Sequence, residues 1–206
     1  MSINDAKSEP GKAEILDRTR LSDDFVKLDR LTISVPTLAG GRQTIEREVH
    51  DHGSAVAVLP FDPERGKVLL VRQFRAPIFA DRGDGMLLEV CAGLIDAGET
   101  DTREVAIREA EEELGVRPRN LVCLGSFYTC PGLVTENVTL FLAEYSQTDF
   151  VGPGGGLAAE HEDIEVLEWD IVELATALEN GSIADMKTAV LARALVDGPG
   201  KQFLKL

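Results

Sequence analysis

From Phe25 onward apolar and polar positions alternate, through Val26 and Leu28 and then Leu31, Ile33 and Val35. That two-residue period predicts extended backbone. Leu38-Ala39-Gly40-Gly41 supplies a turn, and residues 43–49 are expected to pair back as a β-hairpin. Residues 54–59 and 67–74 read as strands separated by a break at 60–66, and residues 86–91 as another. Residues 102–114 predict a helix that stops at Gly115, a residue type favoured just past a helix C-terminus. Strands are expected at 121–128 and 138–145, around a loop at 129–137. A Gly-rich and then acidic loop occupies 150–163. A strand at 164–169 and helices at 172–179 and 185–196 close the chain. No repeat of solenoid period is present. The order of elements predicts an α+β fold, an α/β/α sandwich with a mixed β-sheet between helices and an N-terminal β-hairpin region.

With 206 residues and 44% hydrophobic composition, the chain can build one sizeable core. We expect a polar tail over 1–20, an N-terminal β-rich segment over 21–52, and the main domain over 53–200. No apolar run reaches the roughly 18 residues of a membrane span, and the N-terminus lacks the apolar stretch of a signal peptide. Cys91, Cys123 and Cys130 are an odd count without metal-type spacing, which fits reduced thiols and a cytoplasmic protein. The formal charge of −15 argues against generic nucleic-acid binding. It leaves room for a small phosphorylated substrate, which needs only a local cluster of Arg and Lys plus a divalent cation.

The sharpest chemistry lies in the helix at 102–114. Val105, Ala110 and Leu114 share one side of it. Glu109 and Glu113, four apart, share another face, with Glu112 adjoining. Like charges at this spacing repel by roughly 0.2–0.5 kcal/mol, and the helix dipole disfavours anions near a C-terminus. Mg2+ would remove both penalties, since it takes carboxylate and phosphate oxygens together. Spacing alone favours a solvated acidic face. The flanking Gly93, Gly98, Glu99 and Arg108 turn the reading toward a metal site.

Those flanking residues carry a resemblance. Residues 93–116 resemble the Nudix box, G-x5-E-x7-R-E-U-x-E-E-x-G-U with U aliphatic. Gly93 and Glu99 match its first half, and the run from Arg108 to Val116 matches its second. Eight residues separate Glu99 from Arg108 where the pattern has seven, and the extra one is expected in the loop around Asp101. The resemblance implies Glu109 and Glu113 as principal metal ligands, with Glu112 assisting and the Ala92 carbonyl contributing. Arg108 would pair with Glu99 or another helix carboxylate and hold the site rigid. Mg2+ is the implied metal, with Mn2+ as a substitute.

Four further segments narrow the class: Glu46-Arg47-Glu48-Val49, residues 70–75, residues 130–136, and Gly154-Gly155-Gly156 followed by residues 160–166. Together with the box they resemble the nucleoside-diphosphate-sugar branch of the family. The resemblance implies hydrolysis of the pyrophosphate of a nucleotide sugar, GDP-mannose first and ADP-ribose as the alternative. A non-catalytic nucleotide-sugar-binding regulator is a third reading. Glu162 would bind metal or take the proton of the attacking water, and Glu136 would close on the substrate. The implied substrate contacts are Arg47, Glu48, Arg75, Gly93, Leu94, Glu136 and Lys187, with Phe25 a candidate for packing on the base. On chemistry, Arg75 suits a diphosphate because guanidinium binds phosphate bidentately; its bland reading is a surface ion pair. Lys187 could equally be solvated, Arg72 structural, and His161 a bystander. A homodimer whose chains share the substrate site is also implied.

Overall fold

The computed structural model describes residues 11–198 except His161. The chain divides into two compact units. One runs to Gly53 and includes Tyr128–Asn137; the other comprises Ser54–Phe127 and the chain from Val138 onward.

In the first unit β1 (Glu14–Asp23), β2 (Lys27–Pro36) and β3 (Arg42–Asp51) form an antiparallel sheet in that order. The hairpin of β2 and β3 follows the alternation in the sequence. Strand β1 corrects the expected tail over 1–20, because most of it lies there. It has no inward apolar set, and charge holds it instead. Arg20 faces Asp29 directly in the register. Arg18 Nε donates to the Asp29 carboxylate at 2.7 Å and Arg20 Nε at 2.5 Å. Among the described residues up to Gly53, Asp29 alone is buried. The segment 128–137, expected in the main domain, joins this sheet instead. His50 N donates to Leu133 O at 2.9 Å and Thr135 N to His50 O at 2.9 Å.

The second unit is a mixed sheet. Its strands are β4 (Ser54–Asp62), β5 (Lys67–Phe74), β6 (Met86–Glu89), β7 (Cys91–Leu94), β8 (Arg119–Tyr128), β9 (Asn137–Glu144) and β10 (Glu165–Asp170). The main order is β10-β5-β4-β9-β8, with β6 on β5 and β7 on β4. Strands β4 and β5 pair only beside their turn, at Phe61↔Val68 and Asp62↔Lys67. Beyond it they splay, and the segment 86–94 fills the fork. Its first half pairs with β5 and its second with β4. The single expected strand at 86–91 is thus two, broken at Val90 where the partner changes. Val90 N donates to the buried Thr188 Oγ1 at 2.8 Å instead of to a ladder carbonyl.

Alternate residues of the central strands feed two cores. Ala57, Leu59, Leu70, Leu140 and Leu142 pack with Leu174, Leu191 and Leu195 of α3 (Ile171–Glu179) and α4 (Met186–Val196). Val56, Val58, Leu69, Val71, Phe141 and Ala143 pack with Val105, Ala106, Ala110 and Leu114 of α2 (Thr102–Leu114). Both sheet faces are covered, which is why these strands read as continuous apolar runs. The remaining helix, α1 (Ala76–Arg82), buries none of its residues, so no hydrophobic period announced it. It starts with Pro in its first turn and stops at Gly83, whose φ of 76° is left-handed.

Candidate active site

Helix α2 is set by local chemistry. The Asp101 side chain accepts from Arg103 N at 2.9 Å, and Gly115 closes the helix with φ 68°. The apolar face docks on the sheet, and that docking carries the neighbouring carboxylates inward. Glu109 is 9% exposed and Glu113 only 2%, so the solvated-face alternative fails for these two. Glu113 Oε2 accepts the Ala92 backbone N–H at 3.2 Å. Glu109 lies against Gly93, where any Cβ would overlap its carboxylate. The glycine of the motif therefore makes room for the acid.

Arg108 gathers the rest. It lies 2.8 Å from Glu109 and 3.0 Å from Glu112 through Nη1, and 3.2 Å from Glu99 through Nη2. Its Nη2 also donates to the Leu94 carbonyl at 3.4 Å. The extra residue before Arg108 is absorbed ahead of the helix, so Glu99 still reaches the arginine. Glu99 Oε2 also accepts Asp96 N at 2.8 Å. That bond, with Arg108, holds its carboxyl below the usual range.

The Gly-rich loop packs on the end of α2 backbone to backbone. Gly155 N donates to Glu113 O at 2.8 Å and Gly156 N to Glu112 O at 3.1 Å. A Cβ at Gly154 would overlap the Glu113 carbonyl, and one at Gly156 the Glu162 side chain. The loop thereby brings Glu162, half-buried, toward α2, and its carboxylate accepts Leu157 N at 2.9 Å. His161 lies outside the described residues.

The electrostatics follow from burial. Burial pushes the Glu113 carboxyl up to about 8, against hydrogen bonds from Cys91 and Ala92 and with added push from Glu162 and Glu109. Burial likewise pushes Glu109 up to about 7, against the pull of Arg108 and with push from Glu112 and Glu162. In both acids burial outweighs the nearby positive charge, so both hold their protons to a higher pH than an exposed glutamate. Hard oxygen donors in that condition suit a divalent cation. Glu109, Glu113, Glu162 and the Ala92 carbonyl could hold one. Among the described residues no three His, Cys, Asp or Glu side chains stand close enough together, as they are, to hold a metal ion.

A second group forms around Glu89, which the sequence reading missed. Arg75 Nε donates to its Oε2 at 2.6 Å and Lys187 Nζ to its Oε1 at 3.3 Å. An acid inside the apolar run from Met86 to Cys91 was the available signal. Arg72, on the other face of its strand, pairs with Glu165 at 2.7 Å on the neighbouring β10.

The other expected residues belong to the first unit. Glu136 accepts Thr129 Oγ1 at 2.6 Å and stands 3.6 Å from His52 Nε2. Arg47 Nη1 donates to the Glu46 carbonyl at 2.7 Å, and Glu48 pairs with Arg30 at 3.0 Å. Phe25, on the β1–β2 turn, is 93% exposed and packs in no core.

The NUDIX domain model matches residues 51–188. A GDP-mannose pyrophosphatase of Cronobacter sakazakii is 39% identical over 184 residues, which is 88% of this chain and 94% of that protein. The chain belongs to the Nudix family. A GDP-mannose pyrophosphatase of Pectobacterium atrosepticum is 37% identical over 187 residues, covering 90% of this chain and 95% of that one. The crystal structure of an ADP compounds hydrolase superposes with a TM-score of 0.69 over 96% of this chain and 98% of that one, at 19% identity. That likeness establishes the Nudix fold around the box, as the α/β/α reading expected.

Proposed function

We propose that this Nudix protein is a Mg2+-dependent hydrolase that cleaves the pyrophosphate bond of a nucleoside-diphosphate sugar of the GDP-mannose type. The products are a nucleoside monophosphate and a sugar 1-phosphate. The observation that carries this reading is the pair of buried carboxylates one turn apart, Glu109 and Glu113, set against Gly93 and Ala92. The near-full-length similarity to GDP-mannose pyrophosphatases supports the substrate.

Glu109, Glu113, Glu162 and the Ala92 carbonyl would hold the metal, which would supply charge neutralisation for the diphosphate and a lowered pKa for water. Glu162 takes the proton from the attacking water. Arg108 keeps Glu109 and Glu112 in place through its fork of donors. Arg75 and Lys187 bind diphosphate oxygens, and the backbone at Gly93 and Leu94 borders the reacting group. Arg47, Glu48 and Glu136 supply further substrate contacts.

The same reading makes the protein a homodimer. A three-stranded sheet whose one buried residue is an aspartate needs an apolar covering, and Ile15, Leu16, Leu21, Val26 and Leu38 stand exposed on its unit. It also places the protein in the cytoplasm, in keeping with its three unpaired cysteines. No helix among the described residues is long and apolar enough to cross a membrane.

Chromatography of the products from GDP-mannose and ADP-ribose, with and without Mg2+, tests the reading. The expected result is a higher kcat/KM on GDP-mannose and no turnover after chelation. A preference for ADP-ribose overturns the substrate. Tight binding without cleavage makes the protein a regulator.

A further inference from the structure

Glu89 is 2% exposed at the end of β6. A buried carboxylate must be paired, and the form of its pairing is informative. An arginine can satisfy a carboxylate by itself with two parallel bonds. Here Arg75 gives only Nε to one oxygen, and Lys187 takes the other. Of the five N–H donors of the guanidinium, the four on Nη make no hydrogen bond with the described residues. Lys187 uses two of its three donors, on Glu89 and, at 2.8 Å, on Asp185 Oδ1.

The two cations come from distant segments, and each is held from behind. Arg75 sits between β5 and α1, with its backbone N–H on Gly85 O at 2.8 Å. Lys187 is in the first turn of α4, whose cap Asp185 accepts Thr188 N at 2.8 Å and Thr188 Oγ1 at 2.7 Å. Thr188 Oγ1 in turn accepts from Val90, the chain neighbour of Glu89. A closed ring of contacts thus runs from Glu89 through Lys187, Asp185 and Thr188 back to Val90. Three residues of extended chain, at most about 10 Å, lead from Glu89 to Ala92.

We propose that Glu89 is a positioning residue that joins Arg75 and Lys187 into one receptor for a phosphate of the substrate. It holds the Nε edge of Arg75 so that the Nη pair faces outward, ready for a bidentate phosphate. With Asp185 it balances both positive charges, so the receptor selects by directed N–H groups rather than by net charge. This assignment rests on the hydrolase reading above and adds to it a residue that does not itself touch substrate.

The test is kinetics on GDP-mannose together with calorimetric titration of inorganic pyrophosphate. The variants are Glu89→Gln, Arg75→Lys and the double substitution. Glu89→Gln is expected to raise KM and the pyrophosphate Kd on the order of tenfold, the scale of a lost charge-assisted bond, with kcat much less affected. Action through Arg75 means that Glu89→Gln adds little once Arg75 is Lys. A lower Tm with unchanged KM and Kd, or fully multiplicative effects in the double variant, would make Glu89 a fold residue only and overturn the proposal. Should Glu89→Gln fail to fold, Glu89→Asp keeps the charge with a shorter reach. Unchanged KM and Kd in a folded Glu89→Asp also overturn it, whereas a rise in both supports it. If the wild type cleaves no nucleotide sugar, the hydrolase reading falls, and the pyrophosphate titration still decides the role of Glu89.

Discussion

Glu113 and Ala92 are 21 residues apart in sequence, yet the buried carboxylate of one accepts the backbone N–H of the other at 3.2 Å. This contact ties the last turn of α2 to the strand that fills the fork in the sheet. Glu113→Gln keeps the shape and removes the charge. Turnover of GDP-mannose should fall by at least about 100-fold, since outer-sphere partners of a metal alone cost 10–100-fold. The metal-free variant should melt no lower than the wild type at pH 8.5, because one buried acid fewer, Glu109 alone, is left to ionise. Wild-type turnover at saturating Mg2+ would remove Glu113 from the metal set.

The metal-free protein should lose stability as pH rises. Glu109 and Glu113 titrate in the fold at about 7 and about 8, above the usual glutamate value of 4.5. The folded chain therefore holds protons that the unfolded chain has released. Their stabilising effect is complete below about pH 4.5 and disappears as pH climbs through 7 and 8. Mg2+ competes with those protons, so its Tm increment should be larger at pH 8.5 than at pH 6. Melting curves with Mg2+ and with chelator at the two pH values check this; equal increments would contradict it.

Gly93 has little room to change. Gly93→Ala pushes a methyl into the space of the Glu109 carboxylate. Overpacking of this kind costs about 1–3 kcal/mol, and the carboxylate must rotate away from its place. We expect a folded protein with a modestly lower Tm and metal affinity reduced on the order of tenfold. Mn2+ titration followed by water relaxation measures the second quantity.

The first unit predicts association. Light scattering should give twice the monomer mass, and Leu16→Glu or Val26→Glu should shift it toward the monomer. Either charge would oppose covering of the exposed apolar residues beside β1 and β2. A wild-type monomer at micromolar concentration would refute the dimer.

Helix α2 was legible from the chain to the residue, because its cap, its apolar period and its terminal glycine are all local. The strands β4, β5 and β9 were legible because burial on both faces demands unbroken apolar runs. Strand β1 was not, since its pairing rests on Arg18 and Arg20 reaching Asp29, and charged pairs leave no hydrophobic period. Helix α1 was silent for a related reason: it buries no residue, so nothing in its pattern points inward.

By itself the sequence determined the Nudix box, its spacing, and the list of acids and cations that could serve it. The tertiary structure decided which of them act in company. Sequence spacing put Glu109, Glu112 and Glu113 on one surface of a helix, and only docking on the sheet separated the buried pair from the half-buried Glu112. Glu89 became visible only when the fork in the sheet and the start of α4 brought Arg75 and Lys187 to it. Burial and long-range pairing are properties of packed elements, and a carboxylate acquires its pKa and its partners only once those elements have met.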